Sequence, residues 1–172
     1  MMQFFDITPK KTEWIKTCQR WKGLWPTYSP SHAESEKVNL YYFTEVLSQK
    51  LRSDDVVIGA AGSTIVVLTQ GLHLRDKQRL IVSASQADMG FTVPACIGAA
   101  FAKQGDIIGI TGDGCLLSSI NALQTIHHYN LPIKLFMWNN GGYLTIKNTQ
   151  NKFFGRLSGE SLESGISFPD LE

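Results

Sequence analysis

Cysteine, surplus charge of either sign and long apolar runs are all scarce in this sequence of 172 residues. The cysteines (Cys18, Cys96 and Cys115) are odd in number and form no CxxC pair, so we expect reduced thiols in a cytoplasmic protein. The 16 basic and 15 acidic residues give a net charge of +1, which provides no electrostatic basis for binding nucleic acid or an anionic membrane. No apolar run approaches the roughly 18 residues that a membrane-spanning helix needs. The first residues show no basic stretch before an apolar segment, so no secretory signal peptide is expected.

The composition is that of a globular domain, with 43% hydrophobic and 18% charged residues. A chain of this size can bury a core without disulfides or metals. Residues 1–37 differ from the rest, because Trp14, Cys18 and Trp21 recur at helical spacing before Pro26 and a polar run. We therefore expect residues 1–37 to be a leading helix and linker.

Residues 38–172 show short apolar strands alternating with helices, which is typical of a three-layer, doubly wound α/β domain with a parallel sheet. The expected strands are Val56–Gly59, Leu80–Ser83, Asp106–Thr111 and Ile133–Trp138. The expected helices are Tyr42–Leu51, Ile65–Leu72, Phe91–Lys103 and Ser118–Tyr129. The pattern stops in what reads as the start of another helix, so we expect the domain to be incomplete at its C-terminus.

Two polar turns follow expected strands, Gly112–Cys115 and Asn139–Tyr143. Asp113 and Asn140 are 27 positions apart (140 − 113), one crossover of the kind that places its two strands side by side. Ligands of open parallel sheets bind at the carboxyl ends of the strands. A carboxylate and an amide oxygen, with a backbone carbonyl and phosphate oxygens, would complete an octahedral Mg²⁺ site.

The glycines of the first turn suit a phosphate, because Gly112 and Gly114 allow close backbone approach. Gly114 and Cys115 also lead into a helix N-terminus, whose free N–H groups favour anions. Either turn alone is most often a plain connection between elements, whereas two such turns at the ends of neighbouring strands indicate a ligand site.

The two turns at this spacing resemble the cofactor motif of the thiamine diphosphate-dependent superfamily of acetolactate synthases and 2-oxo acid decarboxylases. Asp88–Ala100 is similar to the MGFGLPAAIGA segment of that family, and Glu13–Pro26 is similar to the linker entering this domain in acetolactate synthases. The resemblance covers the C-terminal, diphosphate-binding domain only, and it implies thiamine diphosphate and Mg²⁺ as cofactors.

The resemblance also implies roles for individual residues. Asp113, the side chain of Asn140 and the carbonyl of Gly142 would hold Mg²⁺. The diphosphate would contact the segment at Gly62 and Ser63, together with Gly112 and the N–H groups of Gly114 and Cys115. Met89 would bend the cofactor, the carbonyl of Ala87 would accept a hydrogen bond from its amino group, and Tyr143 would begin a cover over it.

Plain structural alternatives stay open for three of these residues. Met89 could fill a core gap, Ser63 could cap a helix starting at Thr64, and Cys115 could be a buried, inert thiol.

The implied reaction is decarboxylation or carboligation of a 2-oxo acid. This family needs a glutamate from a pyrimidine-binding domain, and no glutamate of this chain lies in such a segment, so we expect no catalytic residue here. That domain would belong to the same longer chain or to a partner chain, in a homodimer or homotetramer. One alternative is a non-catalytic, truncated relative that serves as a binding module. Another is a dinucleotide-binding domain, but this interpretation lacks support because no GxGxxG follows the first strand.

Overall fold

A computed structural model of the chain describes residues 12–75, 77–102 and 106–168. Four strands form one parallel sheet in the order β2-β1-β3-β4. The strands are β1 (Val56–Gly59), β2 (Arg79–Val82), β3 (Ile107–Gly112) and β4 (Ile133–Trp138). The helices are α1 (Thr12–Leu24), α2 (Leu40–Lys50), α3 (Ser63–Gly71), α4 (Thr92–Ala102), α5 (Asp113–Leu117), α6 (Leu123–His128) and α7 (Leu144–Phe154). Short 3-10 turns lie at Pro30–Glu34, Ile120–Ala122 and Leu162–Ser164. The predicted α/β class with a parallel sheet is confirmed.

Helices cover both faces of the sheet, because alternate strand residues point to opposite sides. One core contains Leu51, Val57, Leu68, Ile108 and Ile110, with Phe43 and Leu47 of α2 packed against it. The other core contains Val56, Ile58, Cys96 and Ile107, with Ala95 and Ala99 of α4 packed against it. The sheet thus separates two apolar layers, as expected for strands buried on both faces.

Strands β3 and β4 are neighbours and pair in parallel over six positions, so that both end together. Ile107 lies opposite Ile133 at the start of the pairing, and Gly112 lies opposite Trp138 at its end. The turns that follow them therefore begin side by side at one edge of the sheet. This confirms the predicted adjacency, which is the basis of the candidate site.

The first helix of the described chain matches its prediction as an amphipathic segment before Pro26. None of its residues is buried, and the rings of Trp14 and Trp21 meet edge to face with centroids 5.6 Å apart. Residues 1–11 of the expected leading segment lie outside the described residues, and the division at residue 37 stays a prediction. Within the described ranges, no helix has both the length and the apolar character needed to cross a membrane.

The single helix predicted at Ser118–Tyr129 is wrong. The chain turns into α5 directly after β3, leaves helical geometry at Ser119 (φ −142°, ψ 20°), and resumes as a 3-10 turn and then α6. The loop before α4 lies close to this point, since a Cβ on Gly90 would lie 2.9 Å from the Cβ of Ser118. The neighbouring loop therefore packs closely against the point where α5 ends.

Candidate functional site

The carboxyl group of Asp113 lies at the end of β3 and is almost fully buried, with 1% of the residue exposed. Its Oδ1 accepts a hydrogen bond from the N–H of Gly114 (2.8 Å), and its Oδ2 accepts one from the N–H of Gly142 (2.9 Å). Among the residues that the structure describes, no basic side chain forms an ion pair with Asp113. A buried carboxylate is costly without a compensating charge, so this position suits a cation.

The turn Asn139–Tyr143 folds over Asp113 through two glycines with positive φ, Gly141 (+74°) and Gly142 (+147°). We call it the metal turn, after the ligand that we propose for it. Asn139 stabilises it by accepting the N–H of Gly141 at 3.1 Å, and the carbonyl of Gly142 accepts the N–H of Leu144 at 3.0 Å. The side chain of Asn140 is exposed and makes no hydrogen bond to the described part of the chain, so its amide oxygen is available to a ligand.

A cavity of about 1010 Å³ opens beside Asp113, and it brings together every site residue expected from the sequence. The expected residues that line it are Gly62, Ser63, Ala87, Met89, Gly112, Asp113, Gly114, Cys115, Asn140, Gly142 and Tyr143. They come from four separate connections of the α/β domain. Their convergence at the carboxyl edge of the sheet is the geometry that a ligand site of this fold class requires.

The segment after β1 presents the N-terminus of α3 to this cavity. The helix begins at Ser63, and its N-cap is Gly62 with φ +68° and no side-chain cap. The alternative in which Ser63 caps a helix starting at Thr64 is therefore wrong. No atom lies within 4 Å of where a Cβ on Gly62 would project. The free N–H groups of the first turn can face an anion here.

The loop between β2 and α4 holds Ala87 in the left-handed region, at φ +54°. The N–H of Ala87 donates to the carbonyl of Ser83 at 2.8 Å, and the hydroxyl of Ser83 donates to Asp88 at 2.5 Å. A non-glycine residue in this conformation is uncommon and typical of functional loops. Met89 is 43% exposed at the cavity, so it does not fill a gap in the core.

Cys115 is buried, with 8% of its surface exposed. Burial raises the pKa of its thiol, and the backbone groups of Gly90, Ala61 and Gly112 oppose the rise only in part. The thiol is therefore protonated and unreactive near neutral pH, in line with the inert interpretation.

The structure shows features that the sequence argument missed. A Cβ on Gly114 would lie 2.4 Å from Cε1 of Tyr143, whose ring also meets Phe168 edge to face. The glycine is thus needed for packing under Tyr143. An aromatic wall of Phe43, Phe136 and Trp138 lines the same cavity, and Phe43 contacts the other two rings edge to face. In the sequence, these three aromatic residues lie in two apolar segments, and nothing there distinguishes them from residues of the hydrophobic core.

A buried carboxyl group in one of two adjoining polar turns, at the carboxyl edge of a parallel sheet, defines the class of an α/β domain with a ligand site at the ends of its strands. A family model described as "Thiamine pyrophosphate enzyme, C-terminal TPP binding domain" matches residues 60–171. The chain belongs to this family of thiamine pyrophosphate (TPP, thiamine diphosphate) enzyme domains.

Acetolactate synthases are among its relatives. The large subunit from Parasynechococcus marenigrum is 31% identical over 168 residues, covering 95% of this chain and 26% of that protein. The large subunit from Lactococcus lactis is 23% identical over 164 residues, covering 94% and 28%. The chloroplastic acetolactate synthase 2 of Zea mays is 28% identical over 121 residues, covering 70% and 19%. The chain thus spans between about a fifth and just over a quarter of the length of these relatives.

Proposed function

We propose that this chain binds thiamine diphosphate together with Mg²⁺ and serves an enzyme that acts on 2-oxo acids. The observation that supports this most is the buried carboxyl of Asp113, which accepts the N–H of Gly142 and lacks a cationic partner in the described structure. The available donors are a carboxylate, an amide oxygen and a backbone carbonyl, which are the hard oxygen ligands that Mg²⁺ prefers.

The residues of the chain divide the work of binding. Asp113, Asn140 and the carbonyl of Gly142 would hold the metal ion, and the carbonyl would use its second lone pair, because Leu144 already donates to the first. The N-terminus of α3 and the open space at Gly112 would receive the phosphates. Met89 and the carbonyl of Ala87 would orient the organic part of the cofactor.

When bound, thiamine diphosphate would supply attack on a 2-oxo acid carbonyl and would store the electron pair that stays behind as carbon dioxide leaves. This chain contributes binding, orientation and exclusion of water, and no residue of it is proposed to transfer a proton. The glutamate that the reaction needs would come from a pyrimidine-binding domain, either in the same longer polypeptide or in a partner chain. We further propose a cytoplasmic homodimer or homotetramer.

Calorimetric titration of the chain with thiamine diphosphate, with and without Mg²⁺, tests the proposal. We expect binding that requires Mg²⁺ and disappears in Asp113→Ala, because that variant removes a ligand and both hydrogen bonds to the turns. Glu163→Gln is a matched control, since Glu163 is exposed and away from the cavity lining. Equal binding by Asp113→Ala would contradict the proposed ligand set. A folded wild-type chain that gives no heat would favour the non-catalytic module.

A further inference from the structure

Glu160 is a buried residue whose backbone contacts the metal turn. The residue is 1% exposed. Its Oε1 accepts a hydrogen bond from the hydroxyl of Ser161 at 2.7 Å, whereas Oε2 is buried without a hydrogen-bond partner in the described chain. The one basic group within ion-pair distance, among the residues that the structure describes, is the Nζ of Lys147, 3.9 Å from Oε2. Glutamate is almost never buried so completely unless it is paired, so this arrangement calls for an explanation.

The backbone of Glu160 contacts the metal turn directly. Its carbonyl accepts the N–H of Tyr143 at 2.8 Å, and Gly142 forms an isolated antiparallel bridge with Ser161. The approach is so close that a Cβ on Gly142 would lie 2.1 Å from the carbonyl oxygen of Glu160. The metal turn is therefore held at two successive N–H groups, that of Gly142 by the side chain of Asp113 and that of Tyr143 by the backbone of Glu160.

The segment that carries Glu160, Ser158–Ser164, is itself tied to α7, and we call it the backing segment. The amide of Gln150 exchanges two hydrogen bonds of 2.9 Å with the backbone of Ser158. The hydroxyl of Ser164 accepts the N–H of Glu160 at 2.8 Å. The pair of Glu160 and Lys147 joins the same two elements next to the metal turn, because the N–H of Lys147 donates to the carbonyl of Tyr143 at 2.9 Å.

We propose that Glu160 is a positioning residue for the metal site, and that its pairing with Lys147 holds the metal turn in the geometry that binds the cation. This inference rests on the proposed function. A buried charge that loses its partner is strongly unfavourable, so breaking the pair weakens the attachment of the backing segment to α7 and leaves it to the hydrogen bonds between Gln150 and Ser158. Mg²⁺ requires near-ideal octahedral geometry, and small displacements of Asn140 and Gly142 therefore weaken its binding.

The test compares Glu160→Gln and Lys147→Met in the full chain. Mg²⁺ affinity is measured by calorimetry at saturating thiamine diphosphate. Loss of a supporting residue typically weakens metal binding by about 10- to 100-fold, and we expect both variants in that range. Lys147→Arg keeps the charge and should restore most of the affinity. The double variant should be no worse than the worse single one, because both changes break one pair. Glu163→Gln, the same substitution at an exposed site of the backing segment, should match wild type.

A second measurement needs no ligand. Amide hydrogen exchange at Tyr143 should speed up in Glu160→Gln and Lys147→Met, and return towards wild type in Lys147→Arg. Unchanged exchange, or wild-type Mg²⁺ affinity in both variants, would overturn the role of Glu160 and leave the proposed function standing. A wild-type chain that binds neither Mg²⁺ nor thiamine diphosphate would instead remove the proposed function, and the exchange data would still decide whether the pair positions the turn.

Discussion

The N–H of Gly142 donates a 2.9 Å hydrogen bond to Oδ2 of Asp113, across 29 positions of sequence. This contact joins the turn after β3 to the turn after β4, and the buried carboxyl accepts two N–H groups without an ion pair to any basic residue that the structure describes. The candidate site thus depends on the pairing of two strands, since neither turn forms it alone.

Gly142→Ala should destabilise the chain strongly. Its φ is +147°, and a Cβ would lie 2.1 Å from the carbonyl oxygen of Glu160, so both strain and a backbone clash oppose the substitution. We expect a loss of roughly 2–4 kcal/mol in the free energy of unfolding, measured with urea. Gly141→Ala is the matched control, with φ +74° and no atom within 4 Å of its Cβ, and it should lose only about 1 kcal/mol. Equal losses would contradict the proposed contact with Glu160.

Alanine at the two glycines that flank Asp113 should separate folding from binding. At Gly114 a Cβ would meet the ring of Tyr143 at 2.4 Å, so Gly114→Ala should lower stability by about 1–3 kcal/mol. At Gly112 the nearest atom would be 4.0 Å away, so Gly112→Ala should unfold like wild type. Because Gly112 lines the cavity, its alanine variant should still weaken the binding of thiamine diphosphate. Gly112→Ala that binds thiamine diphosphate normally but has lowered stability would contradict the role of Gly112 in binding.

Much of this arrangement follows from local sequence. Short apolar runs placed the four strands, and the crossover between Asp113 and Asn140 predicted that their turns meet. The break at Ser119 could not be predicted, because no glycine or proline marks it between Cys115 and Tyr129. The contact of Glu160 with the metal turn could not be predicted either, because it depends on the path by which the chain comes back to this turn after α7. Glu160 carries no motif that marks it among the glutamates of the sequence.

The ion cluster at the opposite end of the sheet should make stability depend on acid pH. A hydrogen bond from Lys134 holds the pKa of Asp106 below its usual value, the charges of Lys134 and Arg52 add to this, and burial opposes it. A lowered folded pKa stabilises the chain fully above the unfolded value of 3.8, and the effect disappears as the pH falls through the folded pKa. Asp106→Asn should therefore be less stable than wild type at neutral pH, with a gap that closes in strong acid.

Urea unfolding of both proteins across the acid range measures that gap. Glu13→Gln serves as the control, because its pair with Lys16 on α1 is highly exposed and contributes little. A gap that stays constant down to the most acidic sample would rule out the linkage to Asp106.

The three thiols should react with a disulfide reagent in an order set by burial. Burial raises the pKa of Cys96 to about 12, so at pH 8 roughly one molecule in ten thousand carries the thiolate. Burial raises the pKa of Cys115 as well, whereas Cys18 on α1 is only partly buried. We expect one thiol to react quickly in the native chain and the other two only after unfolding, with Cys18→Ser removing the fast phase. A fast phase that persists in Cys18→Ser would show that one of the two buried thiols, Cys96 or Cys115, is accessible in the native chain.

The level pairing of β3 with β4 over six positions has a consequence for folding fidelity. A slip of one residue would send every β4 side chain to the opposite layer. It would also move the N–H of Gly142 away from Asp113. The carboxyl group would then keep one hydrogen-bond donor, the N–H of Gly114. A molecule with shifted strands is thus destabilised both in the apolar layers and at the polar edge. The pairing of β3 with β4 therefore positions the site for its ligand and also favours the correct alignment of the two strands.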